Sequence, residues 1–159
     1  MKNDRFLNGI LAGIGILILI ALLLFFVRQN QAEYIADDTP RGVVHNYTLS
    51  VIQKDYEKAY SYLVENNNKP SLPAFQQGLS QQANEISQLN VTLGETFIDK
   101  QNATVQLSLR QYYEGPFNNL SRYSETAQLV LENGDWKIVS MPYPLWSWNW
   151  YPPTEKVVP

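Results

Sequence analysis

A chain of 159 residues without a cysteine has neither disulfides nor thiolate metal sites, so its fold must rest on an apolar core. Twelve basic side chains against fifteen acidic ones, with no basic cluster, exclude the concentrated positive face that nucleic acid requires. A single histidine, His45, is too few for a transition-metal site, and neither metal nor cofactor is expected.

The chain opens with a short tail, residues 1–5, carrying Lys2 and Arg5. Phe6–Val27 is then almost wholly apolar, with Asn8 as its polar interruption. About 20 apolar helical residues cross a bilayer, so residues 6–27 are expected to be a transmembrane helix in contact with lipid. The run is longer than a secretory h-region, and no small-x-small cleavage site follows it in a good position. The basic residues before the span favour a cytoplasmic N-terminus and an extracytoplasmic C-terminal domain in the cell membrane. Gly9 and Gly13 form a GxxxG pair, a spacing that lets two membrane helices approach closely, which makes a homodimer an open alternative.

Residues 28–38 are polar and without periodicity and read as a stalk. Thr39-Pro40 supplies an N-cap and a first-turn proline, and Val44, Tyr47 and Val51 follow at helical spacing. Asp55 reads as the cap of a second short helix carrying Tyr56, Ala59, Tyr60 and Leu63. Ser71 or Leu72 begins a third, with Phe75 and Leu79 facing inward. The period then changes to two. Leu89, Val91 and Leu93 alternate in a first strand that runs past Gly94, where a bulge is expected. Ala103, Val105, Leu107 and Leu109 alternate in the next, and Ala127, Leu129 and Leu131 in a third spanning Tyr123–Glu132. Asn133-Gly134 is a type I′ hairpin signal, because both residues tolerate positive φ. Asp135–Met141 is the fourth strand, with Trp136 and Ile138 on one face. Helices followed by an antiparallel meander make an α+β domain, residues 39–144, with helices packed on a curved sheet of about four strands.

The elements Val44…Tyr47, Asp55–Leu63, Phe75, Ala103–Val105 and Leu129–Ile138 resemble small bacterial domains of the nuclear-transport-factor-2-like (NTF2-like) superfamily. There a "gD-x-x-x-A-y-x-x-L" helix precedes the sheet and a "gxWkI" strand closes it. The resemblance implies a cone-shaped α+β fold. It implies little about activity, since isomerases, dehydratases, carriers and structural modules share that cone. Its enzymes work inside the cone with an Asp base, or with an Asp–His or Asp–Arg pair. Here Asp55 reads as a helix cap, Asp99 and Asp135 fall in turns, and His45 lies beside the apolar face of its helix. No catalytic residue is assigned and no enzyme is expected.

Two groups of aromatic residues are candidate sites. Tyr47, Tyr60, Tyr112 and Tyr123 gather near the helix–sheet interface and could line a moderately polar pocket; the alternative is a tyrosine-rich edge of the core. In the C-terminal tail, residues 145–159, Trp146, Trp148 and Trp150 alternate among prolines. In an extended chain they share one side, and with Tyr151 they form a candidate surface for a ligand or partner. The same tail could instead finish the core or lie at the membrane interface.

The expectation is therefore a single-pass, membrane-anchored, extracytoplasmic binding or assembly module, without catalytic activity, that engages a protein or envelope component. A small-ligand carrier or sensor using the cone's interior is the alternative, and an acid–base isomerase- or dehydratase-like enzyme comes third. A filled interior beside an exposed aromatic stripe favours the first; an open cavity lined by polar groups favours the second.

Overall fold

The computed structural model describes residues 4–29, 33–112, 120–147 and 150. The chain divides into two compact units, one up to Glu33 and one from Tyr34 onward. The first unit is helix α1 (Asp4–Gln29). Its described side chains, residues 9–23, are exposed all round, including Leu11, Leu17 and Leu23. A Cβ added at Gly9 or Gly13 would meet nothing within 4 Å. Among the described residues no helix is long and apolar enough to cross a membrane.

The second unit is α+β. Helices α2 (Pro40–Ile52), α3 (Tyr56–Ser61), α4 (Leu72–Gln81) and α5 (Ala83–Ser87) precede strands β1 (Leu89–Asp99), β2 (Asn102–Tyr112), β3 (Leu120–Glu132) and β4 (Asp135–Ser140). The strands form one antiparallel meander in the order β1-β2-β3-β4. Local chemistry places the helix starts. The Thr39 side chain accepts from the Gly42 N–H, with Pro40 following it, and the Asp55 carboxylate accepts from the Lys58 N–H at 3.2 Å. Ser71 caps α4 through the Ala74 N–H. Each cap satisfies one N–H that the helix cannot pair internally. Helix α5 has no side-chain cap, and its Ile86 is buried against the core.

The sheet follows the alternation. Ala103, Val105, Leu107 and Leu109 of β2 are all buried, and they face Ala127 and Leu129 of β3 and Ile138 of β4 in a shared core with Val44, Tyr47 and Leu63. The β1–β2 register shifts between Leu93 and Thr96, which places the bulge at Gly94. The Arg41 guanidinium donates to the carbonyls of Gly94 and Leu93 there, so α2 holds the irregular part of the edge strand. Asn133 and Gly134 have φ of 52° and 93° in the β3–β4 turn, the positive values a type I′ turn needs. The free edge of β4 is partly paired: Ile138 donates to the Tyr62 carbonyl at 2.8 Å and accepts from Val64 N–H at 3.0 Å.

Two expected boundaries move. The stalk expected at residues 28–38 is not free over its whole length. Ile35 exchanges two hydrogen bonds with the Asn46 side chain, at 2.9 and 2.7 Å, and Tyr34 donates to Gln53 at 3.1 Å. Lys58 lies 3.2 Å over the Tyr34 ring. Gly42 makes this docking possible, since a Cβ there would collide with the Ala36 carbonyl oxygen. The domain therefore starts at Tyr34. Nor does it end at Pro144, because Leu145, Trp146 and Trp150 belong to the same core as Tyr47 and Phe75.

A candidate binding cleft at the mouth of the sheet

Strand lengths create the site. β3 runs for 13 residues and β4 for only 6, pairing with Gln128–Glu132. The first part of β3 therefore has no β4 neighbour, and the chain after β4 turns across that gap. A half-open cleft of about 400 Å³ results, lined by Tyr123, Glu125, Thr126, Met141, Pro142, Tyr143 and Trp146. Tyr123 pairs with Leu109 and Glu125 with Leu107. Both partners are buried, so Tyr123 and Glu125 stand on the core face of the sheet, in line with buried Ala127 and Leu129. Glu125 nonetheless remains exposed at the mouth. Among the described residues it has no ion-pair partner.

The wall opposite is built by the tail, which turns rather than extends. Leu145 N–H donates to the Pro142 carbonyl at 2.9 Å, and Trp150 N–H to the Ser147 carbonyl at 3.1 Å. Leu145 is fully buried, and its carbonyl accepts from the Tyr47 hydroxyl at 2.7 Å. Trp150 stacks on Phe75 with centroids 4.7 Å apart and meets Trp146 edge-on at 5.2 Å. Tyr60 and Tyr47 close on the same Phe75 ring edge-on, at 5.5 and 6.5 Å. Gly78 of α4 leaves room for Trp150, because a Cβ there would come within 2.8 Å of the indole.

The aromatic candidates thus separate. Tyr47 is a core residue, its hydroxyl taken by Leu145. Tyr60 is half-buried, with its hydroxyl on the Pro70 carbonyl at 2.8 Å. Tyr123 lines the mouth cleft, and the side chain of Tyr112 lies outside the described residues. Trp146 and Trp150 are only 7% and 5% exposed, so they do not form an open stripe along an extended chain. The two turns bring their rings together inside instead. Each also lines a hollow: Trp146 the mouth cleft, and Trp150 a second one of about 460 Å³ with Gln77, Gln81 and Ser147. Trp148 and Tyr151 lie outside the described residues.

Two further features complete the surface. Asp37, Lys58, Tyr62, Asp135 and Lys137 border a polar hollow of about 370 Å³. Burial, and after it the Asp37 charge, pushes the Tyr62 hydroxyl above its ordinary pKa. Both lysines are already engaged, Lys58 with Tyr34 and Lys137 with the Ser61 carbonyl. His45 borders a small hollow beside Val91 and Leu93. Among the described residues no three His, Asp or Glu side chains converge as metal ligands would. Glu125 is the acidic residue on an apolar strand face, in line with Ala127 and Leu129. Its position in the series 123, 125, 127, 129 is visible in the sequence.

No protein-family model matches the sequence, and no curated protein does. Solved structures do. A candidate ketosteroid isomerase from Shewanella frigidimarina superposes with a TM-score of 0.50 at 17% identity, covering 67% of this chain and 95% of that one. A candidate calcium/calmodulin-dependent protein kinase type II association domain from Thiobacillus denitrificans gives 0.48 at 10%, covering 64% and 90%. A candidate NTF2-like transpeptidase from Campylobacter jejuni gives 0.47 at 14%, covering 63% and 96%. The first likeness, together with four helices before a four-stranded meander, defines the class: an α+β domain sharing the fold of that structure. At this identity the fold alone is shared.

Proposed function

We propose that the chain is a single-pass membrane protein whose second unit is a non-catalytic binding module, with the mouth cleft as its binding site. The cleft carries the reading. It combines aromatic walls, one sulfur and one carboxylate in a volume within the range of small-molecule sites. The cone's interior offers less, since Tyr47, Phe75, Leu145 and Trp150 pack inside it.

The anchor rests on the sequence of residues 6–27 and on α1, whose described side chains are apolar and exposed on every side. A helix apolar all round needs an apolar surrounding, and lipid supplies one. An extracytoplasmic position for the binding unit follows from the basic residues before the span.

The anchor is tested by washing membranes from expressing cells with alkaline carbonate. The full chain is expected to stay with the pellet; release into the supernatant contradicts an integral span. The site is tested by a fragment screen against wild type and Thr126→Trp, which fills the cleft from its exposed rim. Hits that disappear in the variant support the cleft, whereas hits that bind both proteins equally place binding elsewhere.

A further inference from the structure

We propose that the outer face of the sheet binds a phosphate group between Arg110 of β2 and Arg122 of β3, a site separate from the mouth cleft. The two residues are direct partners in the β2–β3 register. Directly opposed residues point to one face of a sheet, with Cβ atoms about 4.5–5.5 Å apart. Their neighbours Leu109 and Tyr123, also paired, stand on the core face, so the two arginines stand on the face turned away from the helices. Arg122 is exposed and Arg110 half-buried. Like charges placed directly opposite one another destabilise a sheet. Among the described residues neither arginine has an ion pair, and the Arg110 Nε is buried with no hydrogen-bond partner. The acidic side chains described on the sheet stand elsewhere. Glu95 and Asp99 lie at and beyond the β1 bulge, Glu125 on the core face, and Glu132 and Asp135 at the far end of β3.

The register sets what surrounds the pair. Asn90 of β1 lies opposite Arg110 on its other side, and Thr92, Ser108 and Ser124 form the next row across the same face. The patch thus offers two guanidinium forks, an amide and three hydroxyls, and no carboxylate. One arginine fork satisfies the two oxygens of a carboxylate. Two forks side by side exceed that need. They match a phosphate monoester, which has three terminal oxygens and a charge of about −1.5 to −2 at neutral pH. Such a group placed between the two side chains replaces their mutual repulsion with two attractions. Two arginines fall far short of the basic surface that nucleic acid requires, so the ligand is a single phosphate group, free in solution or on a lipid head.

Arg5, Arg28, Arg41, Arg110 and Arg122 are the arginines of the chain, and arginine-selective nitrogen-15 labelling gives each one Nε–H signal. The full chain in neutral detergent is titrated with inorganic phosphate and with acetate at matched ionic strength. The Arg110 and Arg122 signals are expected to shift saturably, with phosphate bound about tenfold tighter than acetate. Arg41, held by the Gly94 and Leu93 carbonyls, should stay still. Arg122→Gln should weaken the Arg110 response about tenfold. Lys100→Asn removes the same charge at the distant β1–β2 turn, where Asn tolerates the positive φ of 54°, and should leave the affinity unchanged. A further titration with short-chain phosphatidate in the micelle separates the sources. Tighter binding than that of inorganic phosphate identifies a lipid head, and equal or weaker binding a soluble phosphate. Equal affinity for acetate and phosphate would overturn the phosphate assignment, and Arg110 and Arg122 signals that do not move would overturn the site. An equal loss in Lys100→Asn would overturn the role of the pair, since phosphate would then be reading only the general charge of the protein.

Discussion

A chain running from Tyr34 and ending at Pro144 is expected not to fold, although every helix and strand of the second unit lies before that point. The missing residues include Leu145, Trp146 and Trp150, all buried in the core. Removing a buried leucine costs about 2–5 kcal/mol, and a buried tryptophan about 3–5 kcal/mol each. Together these reach the ~5–15 kcal/mol that separates folded from unfolded states of a whole domain. The loss also removes the Leu145 carbonyl, which accepts from the Tyr47 hydroxyl in the buried core. Near-ultraviolet circular dichroism distinguishes the outcomes. The shortened chain should lack the aromatic signal and a cooperative melt; retention of both would show that the tail is an accessory.

The second large effect is a change of sign. Trp150→Ala should cost about 3–5 kcal/mol, since its indole stacks on Phe75 and meets Trp146 edge-on. Gly78→Ala should also destabilise, by about 1–3 kcal/mol, because the new Cβ would press into the same indole. In the Trp150→Ala background the obstruction is gone. There Gly78→Ala is expected to stabilise by up to ~1 kcal/mol through helix propensity alone. Urea unfolding of the four proteins measures the cycle. An identical effect of Gly78→Ala in both backgrounds would mean that glycine and tryptophan do not share that space.

Much of this fold can be read locally. Thr39-Pro40, Asp55 and Ser71 announce helix starts through side-chain acceptors, and the structure uses all three. Asn133-Gly134 announces a turn through backbone conformation, and the bulge falls at Gly94. These signals act within a few residues. What could not be read locally depends on distant partners. Asn46 sits inside α2, yet its amide holds Ile35 eleven residues earlier. The tail contains prolines that favour extension, but the burial of Leu145, Trp146 and Trp150 and two turn hydrogen bonds set its path. Aromatic spacing predicts a one-sided stripe only if the backbone stays straight, and here it does not.

The candidate site shows the same division. The alternation placing Glu125 in line with Ala127 and Leu129 is visible in sequence. The cleft itself is not, since it arises from the difference in length between β3 and β4 and from where the tail crosses. Tyr123 alone among the four pocket tyrosines is placed by the described structure at that mouth. The others with described side chains, Tyr47 and Tyr60, give their hydroxyls to carbonyls around the aromatic cluster.

The chain has two methionines, Met1 and Met141, and Met141 lines the cleft. Labelling their methyl groups with carbon-13 therefore gives two resonances, one of which reports on the proposed site. Titration with the tightest hit of the fragment screen into wild type and Thr126→Trp is the most direct measurement. The Met141 signal is expected to shift saturably in wild type, to stay still in Thr126→Trp, and to move while Met1 does not. A Met141 resonance that is unchanged at saturating ligand, or that shifts equally in the filled variant, would contradict a binding site at the mouth of the sheet.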